Sequence, residues 1–374
     1  MRVGFLTYGM ADQLTGIGRY AVELTYALRQ VNLCLEIVLL NPYPESSLPW
    51  YRDFPTYSVP SLRRLPGVLA WGSAVLAAAA QSLCLDILHD PCGIAPFAAP
   101  RRGVRRVVTI HDAIPHVYPR TQPLLTQLVF RTLIPMTRWT ADAILTDSES
   151  ARRDLIRTVK LPACQIQVAY PGVQRYADDQ LMAWRTQRSW LAMRYGLRCP
   201  YFLVVGALTR RKNLPRLLAA FRRLLVEHEE VKLVLVGPEK WWADETLVAA
   251  RSLGESVYLT GFVDDETLHR LYANATALVF PSLYEGFGLP VLEAMAHGTP
   301  AIASTASSLP EVLGDAGIAV DPFDVGAIAG AMRTILENPT LAGDLAQWGR
   351  ARASTFTWER TARETARVYE EVLR

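Results

Sequence analysis

Cysteine is scarce in this chain and shows no pattern. Its five residues, Cys34, Cys84, Cys92, Cys164 and Cys199, are odd in number, scattered and without metal-ligand spacing. That excludes a disulfide framework and a thiolate metal centre and fits a reducing compartment, with each thiol expected to be buried or half-buried. Charge of one sign is lacking too: 39 Lys and Arg against 36 Asp and Glu leave a net charge of +3, which gives no reason to expect nucleic acid as a partner. Long apolar runs are absent. The longest, Val68 to Ala80, has 13 residues, too few to cross a bilayer, and is expected to be a buried helix. No secretory leader is expected, because Arg2 to Thr7 already reads as a strand, so the expected location is the cytoplasm. Arg63 and Arg64 before the apolar run, and Arg101, Arg102, Arg105 and Arg106 after it, add a second expectation: a basic, apolar surface lying on the inner face of an anionic membrane. No Asp-x-Asp element stands in a plausible setting, so no metal ligands and no cofactor are expected.

What the sequence does have is core-forming residues and regular alternation. At 374 residues and 50% hydrophobic, it exceeds what one core usually serves, so two domains are expected. Apolar runs at Val3 to Thr7, Leu35 to Leu40, Ile87-Leu88, Val107 to Ile110, Ala143 to Thr146 and Gln167 to Ala169 alternate with amphipathic helical stretches. Such alternation predicts α/β structure with a parallel sheet covered on both faces. After a polar stretch at 174–199 the pattern restarts at Tyr201 to Gly206, Val231 to Gly237, Val257 to Leu259, Ala277 to Phe280, Pro300 to Ala303 and Gly317 to Val320. The expected organisation is therefore two Rossmann-like units, 1–185 and 186–357, turning near Gly172, followed by a final helix at 358–374. Ligands of open parallel sheets bind beyond the carboxyl ends of the strands, so two facing units would make a central cleft.

The densest signal is Pro281 to Ser304, PSLYEGFGLPVLEAMAHGTPAIAS, where Glu285 and Glu293 lie eight positions apart across a glycine-broken turn. A short strand ends at Pro281, and a helix is expected over Leu289 to His297 with Pro290 in its first turn. Gly286, Phe287, Gly288 and Leu289 form the turn, where glycines allow close backbone approach and a helix start offers free N–H groups. Upstream, Gly206-Ala-Leu-Thr-Arg-Arg-Lys-Asn-Leu follows a strand and precedes a helix, so Arg210, Arg211 and Lys212 stand where cations can meet a diphosphate.

Gly16-Ile-Gly-Arg-Tyr-Ala fits the dinucleotide pattern G-x-G-x-x-A. However, its glycines come about nine residues after the strand, and the next strand ends at Asn41 without a ribose-binding acid. An NAD-dependent oxidoreductase therefore rests on this loop alone. His111-Asp112 ends another strand; His89, Ser148 and Glu149 also lie near strand ends, and Gly261-Phe262 follows a strand where backbone could border a base.

The 281–304 segment resembles the E-x7-E signature of retaining glycosyltransferases with the GT-B fold, specifically glycosyltransferase family 4, down to the Glu-Gly-Phe-Gly-Leu-Pro run and the Gly-Thr-Pro-Ala-Ile turn. The resemblance implies two Rossmann-like domains facing a central cleft, with the last helix crossing back onto the first. It implies a metal-independent hexosyltransferase of polysaccharide assembly, moving a hexose from a nucleotide diphosphate sugar to a glycan or lipid-linked acceptor. Mannose from GDP-mannose is the best expectation for the donor, because Gly-Ile-Gly-Arg-Tyr, Ile-His-Asp and Arg-Lys-Asn are similar to those of mannosyltransferases. Arg211 and Lys212 match the basic pair of the family's phosphate loop, while Ala207 departs from it where many relatives carry Arg, a loss Arg210 could offset. Glu285 and the 286–289 amides would hold sugar hydroxyls, Glu293 the ribose, and Phe262 would border the base. Gly16 and Gly18 would lie near the donor phosphate and Gly206 at the phosphate turn. His111 would hydrogen-bond the transferred sugar. Asp112 would orient that imidazole or bind the acceptor, and Arg19 is placed with the acceptor or in an ion pair. A GT-B epimerase or phosphorylase is the alternative of the same fold, and a noncatalytic two-lobed sugar-binding protein would be expected to carry an export signal.

Overall fold

Twelve short runs with Val, Ile, Leu or Phe and one polar run become strands in the computed structural model, which describes residues 1–12, 14, 16–93, 103–119, 124–238 and 244–374. The first seven are β1 (Arg2–Leu6), β2 (Glu36–Asn41), β3 (Thr56–Ser58), β4 (Ile87–Asp90), β5 (Arg105–Thr109), β6 (Ala143–Thr146) and β7 (Ile166–Val168). They form one sheet in the order β3-β2-β1-β4-β5-β6-β7, every pair parallel. The remaining six are β8 (Tyr201–Val205), β9 (Lys232–Val236), β10 (Val257–Gly261), β11 (Ala277–Phe280), β12 (Ala301–Ser304) and β13 (Ile318–Val320). They build a second parallel sheet, β10-β9-β8-β11-β12-β13. Helices cover both faces of each, so inner strands such as β6, β8, β11 and β12 are buried at every position and read as continuous apolar runs. The strand that the pattern misses, β3, is an edge of three exposed residues, Thr-Tyr-Ser, with no apolar run to betray it.

The chain divides into one unit of Met1–Pro119, Leu124–Gly172 and Thr357–Arg374 and another containing Val173–Phe356. Division at 172/173 rather than at 185/186 has a physical cause. Helix Asp178–Thr186 buries Leu181 and Trp184, the Trp184 indole donates to Glu266 at 3.1 Å, and Asn274 donates to the Trp184 carbonyl at 2.9 Å. Its polar outer side conceals that apolar anchor in the sequence. Gly172 ends the first unit where a side chain cannot fit, since a Cβ there would lie 2.1 Å from the Trp358 backbone nitrogen.

The last helix, Trp358–Leu373, packs on Gly16–Val31. Thr357 caps it by accepting from Arg360 N at 3.1 Å, and Thr361, Ala362, Thr365, Ala366 and Tyr369 recur at helical spacing on the buried side. Arg363–Glu359 and Arg367–Glu371 pairs line the outside, each worth only a few tenths of a kcal/mol, so the buried face sets its position.

Two expectations fail here. Helix Leu65–Ser82 extends beyond the apolar run to 18 residues, and by length and composition it is the one helix among the described residues that could cross a membrane, with a mean hydropathy of 1.2 and 28% of it buried. It is not a fully buried core helix: Val68, Leu76, Ala79 and Ala80 face the core while Leu69 and Trp71 are 43% and 63% exposed. Of the cysteines, Cys34, Cys84 and Cys164 are exposed and only Cys92 and Cys199 half-buried, all as free thiols. Arg101 and Arg102 lie outside the described residues.

Candidate active site

In the second sheet the chain runs from β8 outward through β9 and β10, then returns to the other side of β8 as β11. The strand order reverses between β8 and β11, the place in an open parallel sheet beyond whose carboxyl ends ligands bind. One loop leaving those ends is Gly206 to Asn213, the other Pro281 to Gly288. Arg211 and Lys212 from the first loop close on Glu285 from the second. Lys212 Nζ lies 2.8 Å from Glu285 Oε1, and the Arg211 guanidinium pairs with Oε2. All three are largely buried, with side chains 17%, 8% and 11% exposed in the order Arg211, Lys212, Glu285.

The local sequence builds this trio. Gly206, at φ +128°, leaves room for the lysine, because a Cβ there would come within 3.1 Å of Lys212 Cε. The Lys212 ammonium also sits 3.9 Å from the centroid of the Phe280 ring, a cation–π contact from the end of β11. Asn213 adopts a left-handed conformation at φ +58° and donates to the carbonyls of Pro281 at 3.1 Å and Pro322 at 2.6 Å. Arg211 donates to the Tyr284 carbonyl at 2.6 Å, and its own carbonyl accepts from Leu283 N at 2.8 Å. On the other loop Ser307 Oγ accepts from Glu285 N at 2.8 Å and lies 3.0 Å from Glu285 O, while Ser308 Oγ lies 2.9 Å from Glu285 O and 2.7 Å from Phe287 O. Gly288 caps helix Leu289–Ala296 at φ +122°, where a Cβ would lie 2.7 Å from Leu309 Cδ2.

Two cations flank one carboxylate, and the electrostatics follow. Burial alone would raise the Glu285 pKa, but Arg211 and Lys212 more than offset it and hold the group ionised, down at about 2. For Lys212, burial and the neighbouring guanidinium outweigh the attraction of Glu285 and bring the ammonium down to about 8. The trio carries one more cation than anion, which suits it to an incoming anion.

Glu293 sits on the fifth residue of helix Leu289–Ala296, where Tyr272 donates its hydroxyl to Oε2 at 2.7 Å. Phe287 is 4% exposed and packs edge-on to Phe356, so it supports the loop from within. Arg210 is exposed on the turn of Arg210–Lys212. Phe262, 60% exposed after the positive-φ Gly261, borders a cavity of about 310 Å³ with Arg194 and Asp264.

The first unit holds a separate polar group. His111, just beyond β5, is bonded through Nδ1 to Asp147 Oδ2 at 2.7 Å and through Nε2 to the Pro91 carbonyl at 2.8 Å. Both nitrogens face oxygen acceptors, an arrangement that favours imidazolium. Burial pushes its pKa down, yet Asp147 and the Pro91 carbonyl prevail and the net shift is upward. The orienting carboxylate is therefore Asp147, not Asp112, whose Oδ1 instead accepts from Ile114 N at 2.8 Å at the start of a short helix. Asp147 Oδ1 is buried without a hydrogen-bond partner.

Tyr20 packs edge-on to His111 with ring centroids 4.8 Å apart, so the Gly16-to-Ala21 segment reaches this group through its tyrosine. Gly16 opens helix Gly16–Val31 with open space around it, and Gly18 sits close to the Leu14 side chain. Arg19 stands one turn before Glu23, whose carboxyl is raised by burial and drawn back by that guanidinium. His89 is consumed in the core, bonded to Tyr369 at 2.6 Å and Thr109 at 2.8 Å, with burial holding it neutral and its pKa down at about 3. Ser148 caps helix Glu149–Arg157, and Glu149 pairs with Arg152 at 3.6 Å.

Residues 197–352 match the family described as glycosyl transferases group 1, and residues 14–175 match glycosyltransferase family 4. The chain is 31% identical to O-antigen chain mannosyltransferase B of Escherichia coli over 99% of both chains. It is 27% identical to MMP alpha-(1->4)-mannosyltransferase of Mycolicibacterium hassiacum, over 100% of this chain and 98% of the relative. Among solved structures, sucrose-phosphate synthase from Thermosynechococcus elongatus shares the fold with a TM-score of 0.79 at 23% identity, covering 99% of this chain and 98% of that one. Anabaena HepE in complex with UDP and glucose does so with a TM-score of 0.76 at 18% identity, over 99% of this chain and 100% of that one. The two family matches, together with the 31% relative covered over nearly its full length, define a glycosyltransferase, and the solved structures show its fold to be of the GT-B type. The chain belongs to glycosyltransferase family 4, of the group 1 type.

Proposed function

We propose that this enzyme transfers mannose, with retention of configuration, from GDP-mannose to a glycan or lipid-linked acceptor of polysaccharide assembly. The observation that carries the reading is the Arg211–Glu285–Lys212 trio at the carboxyl ends of β8 and β11, two cations to one anion at the point where the strand order reverses. Sugar transfer needs its leaving diphosphate stabilised, and preorganised cations supply that without reorganisation at the moment of reaction. Arg211 and Lys212, with Arg210 at the rim and the Gly206 turn beneath, bind the diphosphate, so no divalent ion is required. Glu285 and the amides of Gly286, Phe287, Gly288 and Leu289 hold sugar hydroxyls, Glu293 accepts from the ribose, and Phe262 borders the base.

The bond from C1 to the phosphate oxygen breaks as the acceptor oxygen bonds C1 from the same face, and the acceptor proton passes to the departing phosphate oxygen. In the first unit His111 is assigned a hydrogen bond to the transferred sugar, for which its Nε2–H must be shared with or released by the Pro91 carbonyl. Gly16 and Gly18 are assigned to close approach near the donor phosphate, and Asp112 and Arg19 to the acceptor. Mannose is favoured by the two curated relatives, each named a mannosyltransferase and each covered over nearly its full length.

A donor-hydrolysis screen with GDP-mannose and the UDP-sugars tests this reading. GDP-mannose should be turned over fastest, without dependence on added divalent cation and at least roughly a hundredfold more slowly in K212A. Preference for a UDP-sugar, or a strict metal requirement, overturns the respective part.

An anionic lipid surface is the second part of the proposal. The outward positions of helix Leu65–Ser82, Pro66, Leu69, Ala70, Trp71, Ala74 and Ala78, carry no charge, and exposed Arg63 and Arg64 stand at its start. Helix Leu124–Thr140, which packs on the same core cluster through Ile134, exposes Leu128 and Trp139 by 65% and 66%. Such a face would place the enzyme at the inner side of a membrane. Sedimentation with phosphatidylglycerol vesicles should carry down the wild type and much less of L69S/W71S; equal recovery of the two removes the surface.

A further inference from the structure

Glu293 is held from two sides by residues with no assigned role. Its carboxylate accepts from the Tyr272 hydroxyl at 2.7 Å, and its backbone carbonyl accepts from His297 Nδ1–H at 2.7 Å. Because His297 donates through Nδ1, its Nε2 is the acceptor, and His269 Nδ1 lies 2.9 Å away to donate to it. Burial keeps His297 neutral, with its pKa down at about 4, consistent with a ring that gives one hydrogen bond and takes another.

The rings also form a compact cluster. Tyr272 and His297 lie 5.0 Å apart at 22°, and behind them His297, His269 and Trp184 touch one another, at 5.1 Å for His297 and His269, 4.5 Å for His269 and Trp184 and 5.5 Å for Trp184 and His297. Tyr272 and His297 are each 1% exposed, and Trp184 is 5% exposed. The Tyr272 carbonyl is fixed as well, accepting from Thr299 Oγ1 at 2.6 Å. A ring clamped in this way fixes the position of its hydroxyl oxygen, and the Glu293 acceptor selects the direction of the O–H. A carboxylate otherwise turns broadly about its last torsion, so a fixed donor on one oxygen sets the plane in which the other oxygen meets a ligand.

We propose that Tyr272 is a positioning residue of the donor site: its hydroxyl sets the Glu293 carboxylate for the ribose, and the cluster of His297, His269 and Trp184 behind its ring holds that hydroxyl in place. This rests on the reading above that Glu293 accepts from the donor's ribose. The same cluster includes Trp184 on helix Asp178–Thr186, so the carboxylate is braced by the segment that opens the second unit.

The test uses the full chain and whichever nucleoside diphosphate, GDP or UDP, the wild type binds. Y272F keeps the ring and removes one oxygen. It should weaken binding of that nucleotide by roughly tenfold and raise the donor KM similarly, with kcat for donor hydrolysis changed less than about twofold. E293Q should do the same, and Y272F added to E293Q should do nothing more, because both act through one carboxylate. H269F preserves stacking but removes the Nδ1 donor, and should weaken nucleotide binding by about threefold. If E293Q weakens binding and Y272F does not, or if the two losses multiply in the double variant, the positioning role is overturned. If E293Q itself binds like the wild type, the ribose assignment fails and takes this proposal with it. Unchanged binding in H269F removes His269 from the support of Tyr272.

Discussion

The polar groups of the two units differ in their charge balance. In the second unit Arg211 and Lys212 surround a single carboxylate, Glu285, and an excess cation is kept in a largely buried place. In the first, His111 is bonded to one carboxylate and a carbonyl, Asp147 and Pro91, with Asp112 nearby, and no excess cation is left. An unbalanced group is costly when empty and relieved when an anion arrives; a balanced one gains little from a charged ligand and keeps its geometry. The contrast separates a group built to receive charge from a group built to hold a proton in place.

Removing Glu285 breaks this comparison most severely. E285A leaves two largely buried cations facing each other, and the unfolding free energy should fall by about 3–5 kcal/mol. Urea denaturation measures it, and a loss under about 1 kcal/mol would show that solvent already screens the trio. K212A is milder for the fold, because Arg211 still neutralises Glu285, but donor kcat/KM should drop roughly 10²- to 10³-fold with the circular dichroism spectrum unchanged. Near-normal turnover would remove Lys212 from the mechanism.

D147N should cost about 1–2 kcal/mol and move the His111 pKa downward in an NMR titration. An unmoved pKa would mean that the Pro91 carbonyl alone keeps the ring charged.

The two groups should also answer pH in opposite senses. Because the His111 pKa is raised on folding, its stabilisation is complete below the ordinary histidine range and is lost as pH rises through the folded value. Lys212 is lowered to about 8 from 10.5, so between those values the unfolded chain binds more protons and its contribution to stability rises with pH. Activity runs the other way. Donor kcat/KM should fall as pH climbs past about 8, up to tenfold per unit, and K212R should push that limb upward. A limb left in place by K212R belongs to another group.

Much of the fold was legible because buried parallel strands must be apolar at every position, as β8 and β11 are. The loops that carry Lys212 and Glu285 were legible because Gly206, Pro281, Gly286 and Gly288 punctuate them. What stayed hidden acts at long range through one hydrogen bond or one ring. Asp147 lies 36 positions from His111 and meets it because β5 pairs with β6, whereas the adjacent Asp112 is spent on a helix start. Ser307, Ser308 and Asn213 hold these loops through backbone atoms, which spacing does not encode. Trp184 stands in a short helix whose partners, Glu266 and Asn274, are more than 80 positions away, so the boundary between units lies a dozen residues earlier than expected, and the three exposed cysteines show that composition alone does not assign burial.

The place where the chain leaves and rejoins the first unit has a consequence for how the protein could be taken apart. Gly172 presses its backbone against Trp358, and one residue further on Val173 N donates to the Phe356 carbonyl at 3.2 Å. Entry and exit of residues 173–356 are therefore side by side, which makes that stretch a cassette spliced into its host between Gly172 and Thr357. A short glycine bridge from 172 to 357 should close the host without it, and the cassette, with its own sheet and core, is the natural piece to graft between relatives.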